Sequence, residues 1–274
     1  MEKRNWRELG VGMVVPLLAL LLWQWVASAG LVNPQVLPAP LAVGRKWVEY
    51  LLPLQTFQQQ GGANWWRWAF SGELVIDTLT SLYRVVVGFA IGGALALPLG
   101  LAMGASPRVY AWMNPLVQLL RPIPPIAYIP LAILWFGLGN PPAVFLIALG
   151  AFFPVLMNTI AGVRQVDGIY LRAARSLGAG PGTIFARVIL PAAVPYILSG
   201  VRIGIGTAFI VVIVSEMIAV NNGLGFRILE AREYFWSDKI IAGMITIGML
   251  GLAIDIGMNS LNNYLLRWHR GLEH

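Results

Sequence analysis

Long apolar blocks, separated by short polar intervals, constrain this chain more than any other feature of its sequence. Residues 74–103, 143–163 and 240–266 are long enough to cross a hydrocarbon core of about 30 Å as helices, at a rise of about 1.5 Å per residue. Only 11% of the residues are charged and the mean hydropathy is +0.71, whereas soluble domains have roughly 25% charged residues. The sequence therefore predicts an all-α, polytopic membrane protein.

The apolar blocks predict about six membrane-spanning helices. The first block ends in Ala27-Ser28-Ala29, which also has the form of a signal-peptide cleavage site. We interpret this block as a membrane span. The predicted spans are residues 11–29, 74–103, 109–139, 143–163, 191–220 and 240–266.

A segment rich in Pro, Gln, Gly and Trp separates the first span from the rest of the chain. Its composition predicts a surface segment with one interfacial helix at residues 41–52, and with Trp65, Trp66 and Trp68 as anchors at the membrane interface. The sequence therefore divides into an N-terminal tail with the first span, a segment outside the membrane and a core membrane domain, at residues 1–29, 30–73 and 74–274.

Prolines interrupt the third predicted span. A proline removes backbone hydrogen bonds from a helix, and residues 109–139 contain Pro115, Pro122, Pro124, Pro125 and Pro130. Freed backbone groups at membrane depth are tolerated where they are buried in protein or line a wet cavity. We therefore predict a broken helix in which Pro124 and Pro125 line a translocation path; a kinked packing helix is the alternative.

The most polar long interval between two apolar blocks is residues 170–206. Arg172 and Arg175 lie there among small residues, and the interval breaks at Gly178 before an apolar helix begins beyond Pro191. Small residues let a helix lie close to a partner, and glycine frees the backbone to turn. The pattern predicts a helix-turn-helix docking element at the membrane surface; an ordinary basic loop held at the lipid headgroups is the alternative.

This interval resembles the EAA loop of ABC-importer permeases, through which the membrane subunit binds its ATPase. The shared pattern is Ala173-Ala174, then Gly178, then Val188-x-Leu190-Pro191 after nine further residues. The acidic residue that opens the family motif is Arg172 here, and the usual isoleucine is Val188. The resemblance implies ATPase coupling by Leu171, Arg172, Ala173, Ala174, Arg175, Gly178, Ala179, Gly180, Leu190 and Pro191.

Further motifs extend the resemblance over nearly the whole chain. LPAP at residues 37–40, RPIPPIAYIPLAILWFGLG at 121–139 and SEMIAVNNGLGF at 215–226 are similar to permeases for taurine, alkanesulfonates, nitrate and bicarbonate. The RAARSLGA loop and the closing LRWHRG are most similar to the taurine and sulfonate group, and permeases for vitamin precursors share much of the same sequence. The resemblance implies the type I ABC-importer permease fold with a cytoplasmic coupling helix, and identifies residues 74–274 as the permease domain.

The resemblance also implies partners. Two permease subunits, which we take to be a homodimer, each hold one cytoplasmic ATPase subunit, and a periplasmic or lipid-anchored binding protein delivers a small solute such as taurine or an alkanesulfonate. ATP and Mg belong to the ATPase, and this chain binds no cofactor. In agreement, the sequence has no GxxxxGK[ST] phosphate loop, and GAGPGT at residues 178–183 lacks the lysine that would hold the terminal phosphates.

Basic residues predict the orientation in the membrane. Placing both termini in the cytoplasm puts most of the Lys and Arg residues there, including Arg108, Arg164, Arg172 and Arg175, as the positive-inside rule requires. The predicted location is therefore the inner, cytoplasmic membrane, with the docking interval facing the cytoplasm.

Three charged residues are predicted to lie at membrane depth. Arg121 opens the Pro-rich break, while Arg202 and Glu216 share nearly the same face of the 191–220 span. A charge at this depth normally faces a protein interior, a water-filled cavity or a counter-charge. We predict that Arg121 and Arg202 contact an anion in the translocation path, and that Glu216 repels it or braces the outer gate. The alternatives are permanent pairing of the arginines with Glu216, Asp255 or a carbonyl, and snorkelling of the arginines to the lipid headgroups.

Small residues recur every four positions in the same span. Gly200, Gly204 and Ala208 form a ridge that lets another helix approach closely. The ridge predicts a helix contact, either between subunits or within one chain.

The residue inventory argues against other classes of protein. There is no cysteine and there are two histidines, so disulfides, cysteine catalysis and metal sites are not expected. The net charge of +7 is spread over the ends of the apolar blocks and is not gathered on one face as nucleic-acid binding requires. With no catalytic cluster, the chain is expected to be a transport subunit and not an enzyme. A secondary transporter is the alternative outside the ABC class, and it would show related halves and intramembrane acids.

Overall fold

The computed structural model describes residues 6–53, 65, 68 and 70–266, and their side chains from residue 14 onward. Trp66, the basic tail before Trp6 and the part of LRWHRG beyond Leu266 lie outside the described residues. The described residues form helices and turns with no β-strand, and an isolated bridge pairs Pro53 with Gly72. The predicted all-α class is confirmed.

Helices follow one another along the described chain. A 3-10 turn, Pro125–Tyr128, precedes α5, and a π-helical turn, Phe185–Ile189, precedes α9. The helices are α1 (Trp6–Ser28), α2 (Pro40–Leu51), α3 (Glu73–Ala105), α4 (Pro107–Leu120), α5 (Ile129–Phe136), α6 (Asn140–Arg164), α7 (Gly168–Ser176), α8 (Pro181–Ile184), α9 (Leu190–Ala219), α10 (Leu224–Glu233) and α11 (Ser237–Leu265).

In the part of the chain that the structure describes, four helical stretches are long and apolar enough to cross a membrane: α3, α6, α8 with α9 and the π-helical turn between them, and α11. The bent pair of α4 and α5 makes a fifth if it is counted as one span. In α1, the described side chains form a shorter apolar helix, Val14–Ser28. Each of the predicted apolar blocks therefore contains a helix, and α2 lies where the interfacial helix was predicted.

The Pro-rich segment breaks its helix as predicted. Ser106 caps the start of α4, where its Oγ accepts a hydrogen bond from Val109 N at 3.4 Å. α4 then ends at Leu120, and the next helical segment is bent away from it by 82°. Pro125 opens that segment, at a position where a helix needs no backbone N–H. The prolines thus end one helix and begin the next.

Backbone contacts divide the chain into two compact units. The larger unit comprises residues 79–226 and 249–274, and the smaller unit comprises residues 1–78 and 227–248. These two units do not test the three regions that the sequence predicted, residues 1–29, 30–73 and 74–274, and that division stays a prediction.

In the larger unit, α3 packs against α6 along a row of glycines. A Cβ atom on Gly92 would lie 2.3 Å from the carbonyl oxygen of Ala148, and one on Gly104 would lie 2.5 Å from Val163 Cβ. Such distances leave room for hydrogen only, so these glycines let the two helices approach closely. The close contact buries much of α6, which runs through the core of this unit.

An ion-pair network holds the smaller unit. Arg227 of α10 pairs with Glu73 at 2.7 Å, with Asp77 at 2.6 Å and with Glu230 at 2.9 Å, and Lys239 reaches Glu73 at 3.2 Å. Burial alone would lower the pKa of the Arg227 guanidinium, but its hydrogen bonds to Glu230 and Asp77 raise that pKa above its ordinary value. The network therefore joins the starts of α3, α10 and α11.

Candidate coupling and translocation sites

The predicted docking interval folds into a short helix with defined ends. Asp167 caps the start of α7, because its Oδ1 accepts a hydrogen bond from Ile169 N at 2.8 Å. At the other end, Ala179 N donates to the carbonyl oxygen of Ala174 at 3.0 Å, and Gly178 has φ of +79°. This is a Schellman motif, in which glycine is favoured because its backbone is left-handed. The turn expected at Gly178 is present.

The surface of α7 is open. None of its residues is buried, and Leu177, directly after the helix, is 87% exposed. Ile169 and Tyr170 add two more exposed apolar side chains, beside the exposed Arg172 and Arg175. An apolar patch bordered by arginines is typical of a protein-interaction surface. We call this patch, Ile169, Tyr170, Arg172, Arg175 and Leu177, the α7 surface.

The coupling candidates fall on two separate elements of the structure. Residues 171–180 all fall on α7 or the turn after it, whereas Leu190 and Pro191 open the long helix α9. Between the two places, the π-helical turn is closed by a hydrogen bond from Leu190 N to the carbonyl oxygen of Phe185. Pro191 has no N–H to donate, and its ring fits the first turn of a helix. The structure thus connects α7 to a membrane-spanning helix through α8 and one π turn.

Arg121, Pro124 and Pro125 line one cavity of about 400 Å³ in the larger unit. The other walls come from α6, including Asn158, and from Ile203 of α9. Among the described residues, the Arg121 guanidinium has no hydrogen-bond or ion-pair partner, and Arg121 is the charged member of this lining. The structure therefore brings together three of the residues predicted for the path. We call this space the Arg121 cavity.

Arg202 lies on another side of α9. Its Nη2 and Nε donate to Asp255 Oδ1 at 2.8 and 3.1 Å, while its neighbour Ile203 lines the Arg121 cavity. Arg202 and Asp255 also border a smaller cavity of about 180 Å³ with Gly206 and Gly251. The structure thus separates Arg202 from Arg121 and gives it the counter-charge that the sequence left as an alternative.

Glu216 is enclosed by protein, with a relative exposure of 0%. Its carboxylate accepts hydrogen bonds from Arg84 Nη1 at 2.6 Å, Ser81 Oγ at 2.8 Å and Gly225 N at 3.0 Å. A direct contact between Glu216 and an anion would require these bonds to open. The predicted role of Glu216 at the path stays a prediction.

Arg84 is the charged residue of this region that sequence reasoning missed. Its Nε donates to Asn140 Oδ1 at 2.8 Å, and its Nη1 donates to the carbonyl oxygen of Asn222 at 3.0 Å. Nη2 donates to Asn222 Oδ1 as well. Arg84 and Glu216 are 132 positions apart, so no local pattern could reveal the pair. The available signal was the presence of two opposite charges in otherwise apolar spans. We call Ser81, Arg84, Asn140, Glu216 and Asn222 the polar hub.

The small-residue ridge packs within the chain. Gly200, Gly204 and Ala208 are buried, and a Cβ atom on Gly200 would lie 2.7 Å from Asn158 Cβ of α6. A Cβ atom on Gly204 would lie 2.9 Å from Val155 Cγ2 of the same helix. Of the two contacts that the sequence left open, the structure shows the internal one.

Comparison with known proteins identifies the family. The sequence profile described as "Binding-protein-dependent transport system inner membrane component" matches residues 92–271. The chain belongs to this family of ABC-importer permeases. The taurine transport system permease protein TauC of Escherichia coli strain K12 is 36% identical over 261 residues, which cover 95% of this permease and 90% of TauC. The bicarbonate transport system permease protein CmpB of Synechococcus elongatus is 34% identical over 269 residues, covering 96% and 93% of the two chains.

A solved structure shows the same fold. A chain in a structure of the MetNI methionine ABC transporter, in an inward-facing conformation, superposes with a TM-score of 0.62, covering 70% of this permease and 95% of that chain. At 19% sequence identity, this likeness speaks for the fold alone. The predicted type I importer permease fold is confirmed, and so is a multi-pass transport subunit of the inner membrane.

Proposed function

We propose that this permease is the membrane subunit of an ATP-driven importer that passes a small oxyanion across the cytoplasmic membrane, with both termini in the cytoplasm. Family membership carries the general part of the proposal. The finer parts concern the ATPase, the path, the partner subunits and the solute.

The ATPase contact is assigned to the α7 surface. Caps at both ends stabilise α7, and the exposed Leu177 directly after it offers an apolar anchor close in sequence to Arg172 and Arg175. Closure of an ATPase pair on binding ATP and Mg would move α7, and α8 with the π turn would pass the movement to α9. The permease needs no nucleotide of its own for this role.

The translocation path is assigned to the Arg121 cavity, where Pro124 and Pro125 break the helix. Arg202 and Glu216 remain further candidates, and each would first have to release its present partner, Asp255 or Arg84. A second copy of the permease would complete the path as a homodimer. A periplasmic or lipid-anchored binding protein would deliver the solute from the side opposite the ATPase.

The proposed solute is taurine or an alkanesulfonate. TauC is named for taurine and CmpB for bicarbonate, and both solutes carry a small oxyanion group. Bicarbonate is therefore the first alternative, followed by nitrate, nitrite or cyanate and by vitamin precursors. Because the binding protein is a separate chain, the solute is best identified by transport.

The experiment is uptake into proteoliposomes that hold the permease, its ATPase and its binding protein. We expect uptake of radiolabelled taurine only with enclosed or bound ATP, and competition by ethanesulfonate that exceeds competition by bicarbonate or nitrate. Uptake driven by an ion gradient without ATP would refute the importer. Stronger competition by bicarbonate would retain the importer and change the solute.

Gly178→Leu tests the coupling assignment in the same system. Gly178 has φ of +79° and no neighbouring atom within 4 Å of a built Cβ, so leucine strains the turn without a clash. We expect loss of uptake from a complex that still inserts into the membrane. Gly44→Leu is the matched control, because Gly44 also has open space and no positive φ, and it lies in α2, outside the coupling residues. Equal uptake by the two variants would contradict the assignment.

A further inference from the structure

We infer that Arg121 makes the cavity beside it a binding site of the permease itself for oxyanion groups, so that the membrane subunit selects solutes that carry a sulfonate or similar oxyanion group over cationic solutes. The inference rests on the proposed import function and deepens it. It assigns selectivity to a residue of the path in addition to the binding protein.

The charge of the Arg121 cavity is not compensated. The lining residues contributed by the α4–α5 break, α6 and α9 include no Asp or Glu. Arg84 is held by Glu216 and Arg202 by Asp255, whereas Arg121 has no such partner among the described residues. Arginine stays protonated in proteins. The cavity therefore carries one positive charge that a solute can neutralise.

The depth of the cavity strengthens this charge. Gly150, one of its lining residues, lies ten residues after the start of α6 and fourteen before its end, which is roughly 15 Å and 21 Å along the helix. The cavity is therefore near the middle of a spanning helix. A cavity at this depth is surrounded by low-dielectric hydrocarbon and protein, so an ionic interaction there is screened less than at a surface that faces bulk water. An anion in the cavity is attracted and a cation is repelled.

The shape of the site indicates the class of anion. A guanidinium presents planar, paired donors that match the oxygens of a sulfonate or carboxylate group. The side chain of Asn158 already donates to the carbonyl oxygen of Pro154 at 2.9 Å, and most of the remaining wall is apolar. A volume of about 400 Å³ lies within the usual range for small-molecule sites, about 300–1,000 Å³. One charged contact on apolar walls suits a small monovalent oxyanion that must also leave again.

Chemical restoration of the charge tests the inference. The chain has no cysteine, so Arg121→Cys offers a single thiol on the permease. The complex is reconstituted, and the thiol is then modified with a methanethiosulfonate that adds either an ethylammonium or an ethylsulfonate group. We expect Arg121→Cys to lower taurine uptake about tenfold or more, as loss of a charge-assisted hydrogen bond does. Ethylammonium should restore much of the uptake, and ethylsulfonate should lower it further.

The reagents act on protein that is already folded, so a folding defect cannot produce opposite effects of the two charges. Arg108→Cys is the matched control, since Arg108 lies near the start of the same α4 helix, exposed and outside the cavity; both reagents should leave its uptake unchanged. Wild-type uptake by Arg121→Cys, or the same effect of both reagents, overturns the inference while the importer stands. A wild-type complex without ATP-dependent taurine uptake instead overturns the proposed function with that solute.

Discussion

Two arginines of the larger unit meet opposite surroundings. Arg84 of α3 is 1% exposed and donates to Glu216, Asn140 and Asn222. Arg121, at the end of α4, is exposed and lines a cavity without a partner among the described residues. The same side chain therefore serves two purposes, and its neighbours decide which one.

The difference between Arg84 and Arg121 distinguishes a charge that stabilises the fold from a charge that is available to bind a solute. Burying an ion pair costs desolvation energy that the mutual attraction and the surrounding hydrogen bonds must offset. The polar hub satisfies its groups in this way and ties α3, α6 and the end of α9 together. The charge of Arg121 has no partner among the described residues and is accessible to a solute in the cavity, so this charge contributes little to the stability of the fold.

The largest expected effect separates these two arginines. Arg84→Ala leaves the Glu216 carboxylate buried without its counter-charge, and we expect a loss of about 3–5 kcal/mol of stability. Arg121→Ala removes no hydrogen bond or ion pair with the described residues, so it should change stability by about 0.5 kcal/mol or less. Thermal unfolding of the purified permease in detergent measures both.

An apolar replacement of the pair sharpens this comparison. The double variant Arg84→Met/Glu216→Leu removes both charges and should recover most of the stability that Arg84→Ala loses. Similar unfolding temperatures for Arg84→Ala and Arg121→Ala would contradict the distinction between hub and cavity.

A smaller effect extends the comparison from charge to packing. Gly204 faces α6, and a Cβ there would lie 2.9 Å from Val155 Cγ2 and 3.2 Å from the carbonyl oxygen of Ala151. Gly204→Ile should therefore destabilise the permease by about 1–3 kcal/mol through overpacking. Gly206, two residues along the same helix, has no atom within 4 Å of a built Cβ, so Gly206→Ile is the control in the same unfolding assay. Equal losses of stability in Gly204→Ile and Gly206→Ile would contradict the packing of the Gly204 face of α9 against α6.

A small effect is expected at Arg202, whose surroundings are intermediate between those of the other two arginines. Its pair with Asp255 joins side chains that are 41% and 51% exposed, and exposed pairs contribute about 0–1 kcal/mol. Arg202→Gln should therefore cost less than about 1 kcal/mol. A double-mutant cycle with Asp255→Asn measures the coupling directly, and a value like that expected for the polar hub would place Arg202 among the structural charges.

Local features of this permease were predictable from sequence. The turn at Gly178 and the break at Pro125 depend on backbone preferences of single residues and their immediate neighbours. The ridge of Gly200 and Gly204 identified a contacting face, because periodicity fixes which residues share a side of a helix.

Contacts between distant segments were not predictable in the same way. Periodicity does not name the helix that covers the ridge, and nothing near Glu216 in sequence indicates Arg84 as its partner. The pairing of Arg202 with Asp255 was foreseen only as an alternative, because two acids, Glu216 and Asp255, and several carbonyls were equally available to it. Which arginine would remain open depended on the folded packing of α4, α6 and α9.

The most direct test of the account is a cross-link between the α7 surface and the ATPase. A Leu177→Cys variant, in a permease that otherwise lacks cysteine, is treated with a short thiol cross-linker in the assembled complex. Phe235→Cys is the matched control, because Phe235 is 80% exposed in the turn before α11. That turn lies between the last two predicted spans, so with both termini in the cytoplasm it is expected on the opposite side of the membrane. The account predicts a permease–ATPase adduct from Leu177→Cys that ATP binding alters, and none from Phe235→Cys. An adduct from Phe235→Cys alone would contradict it.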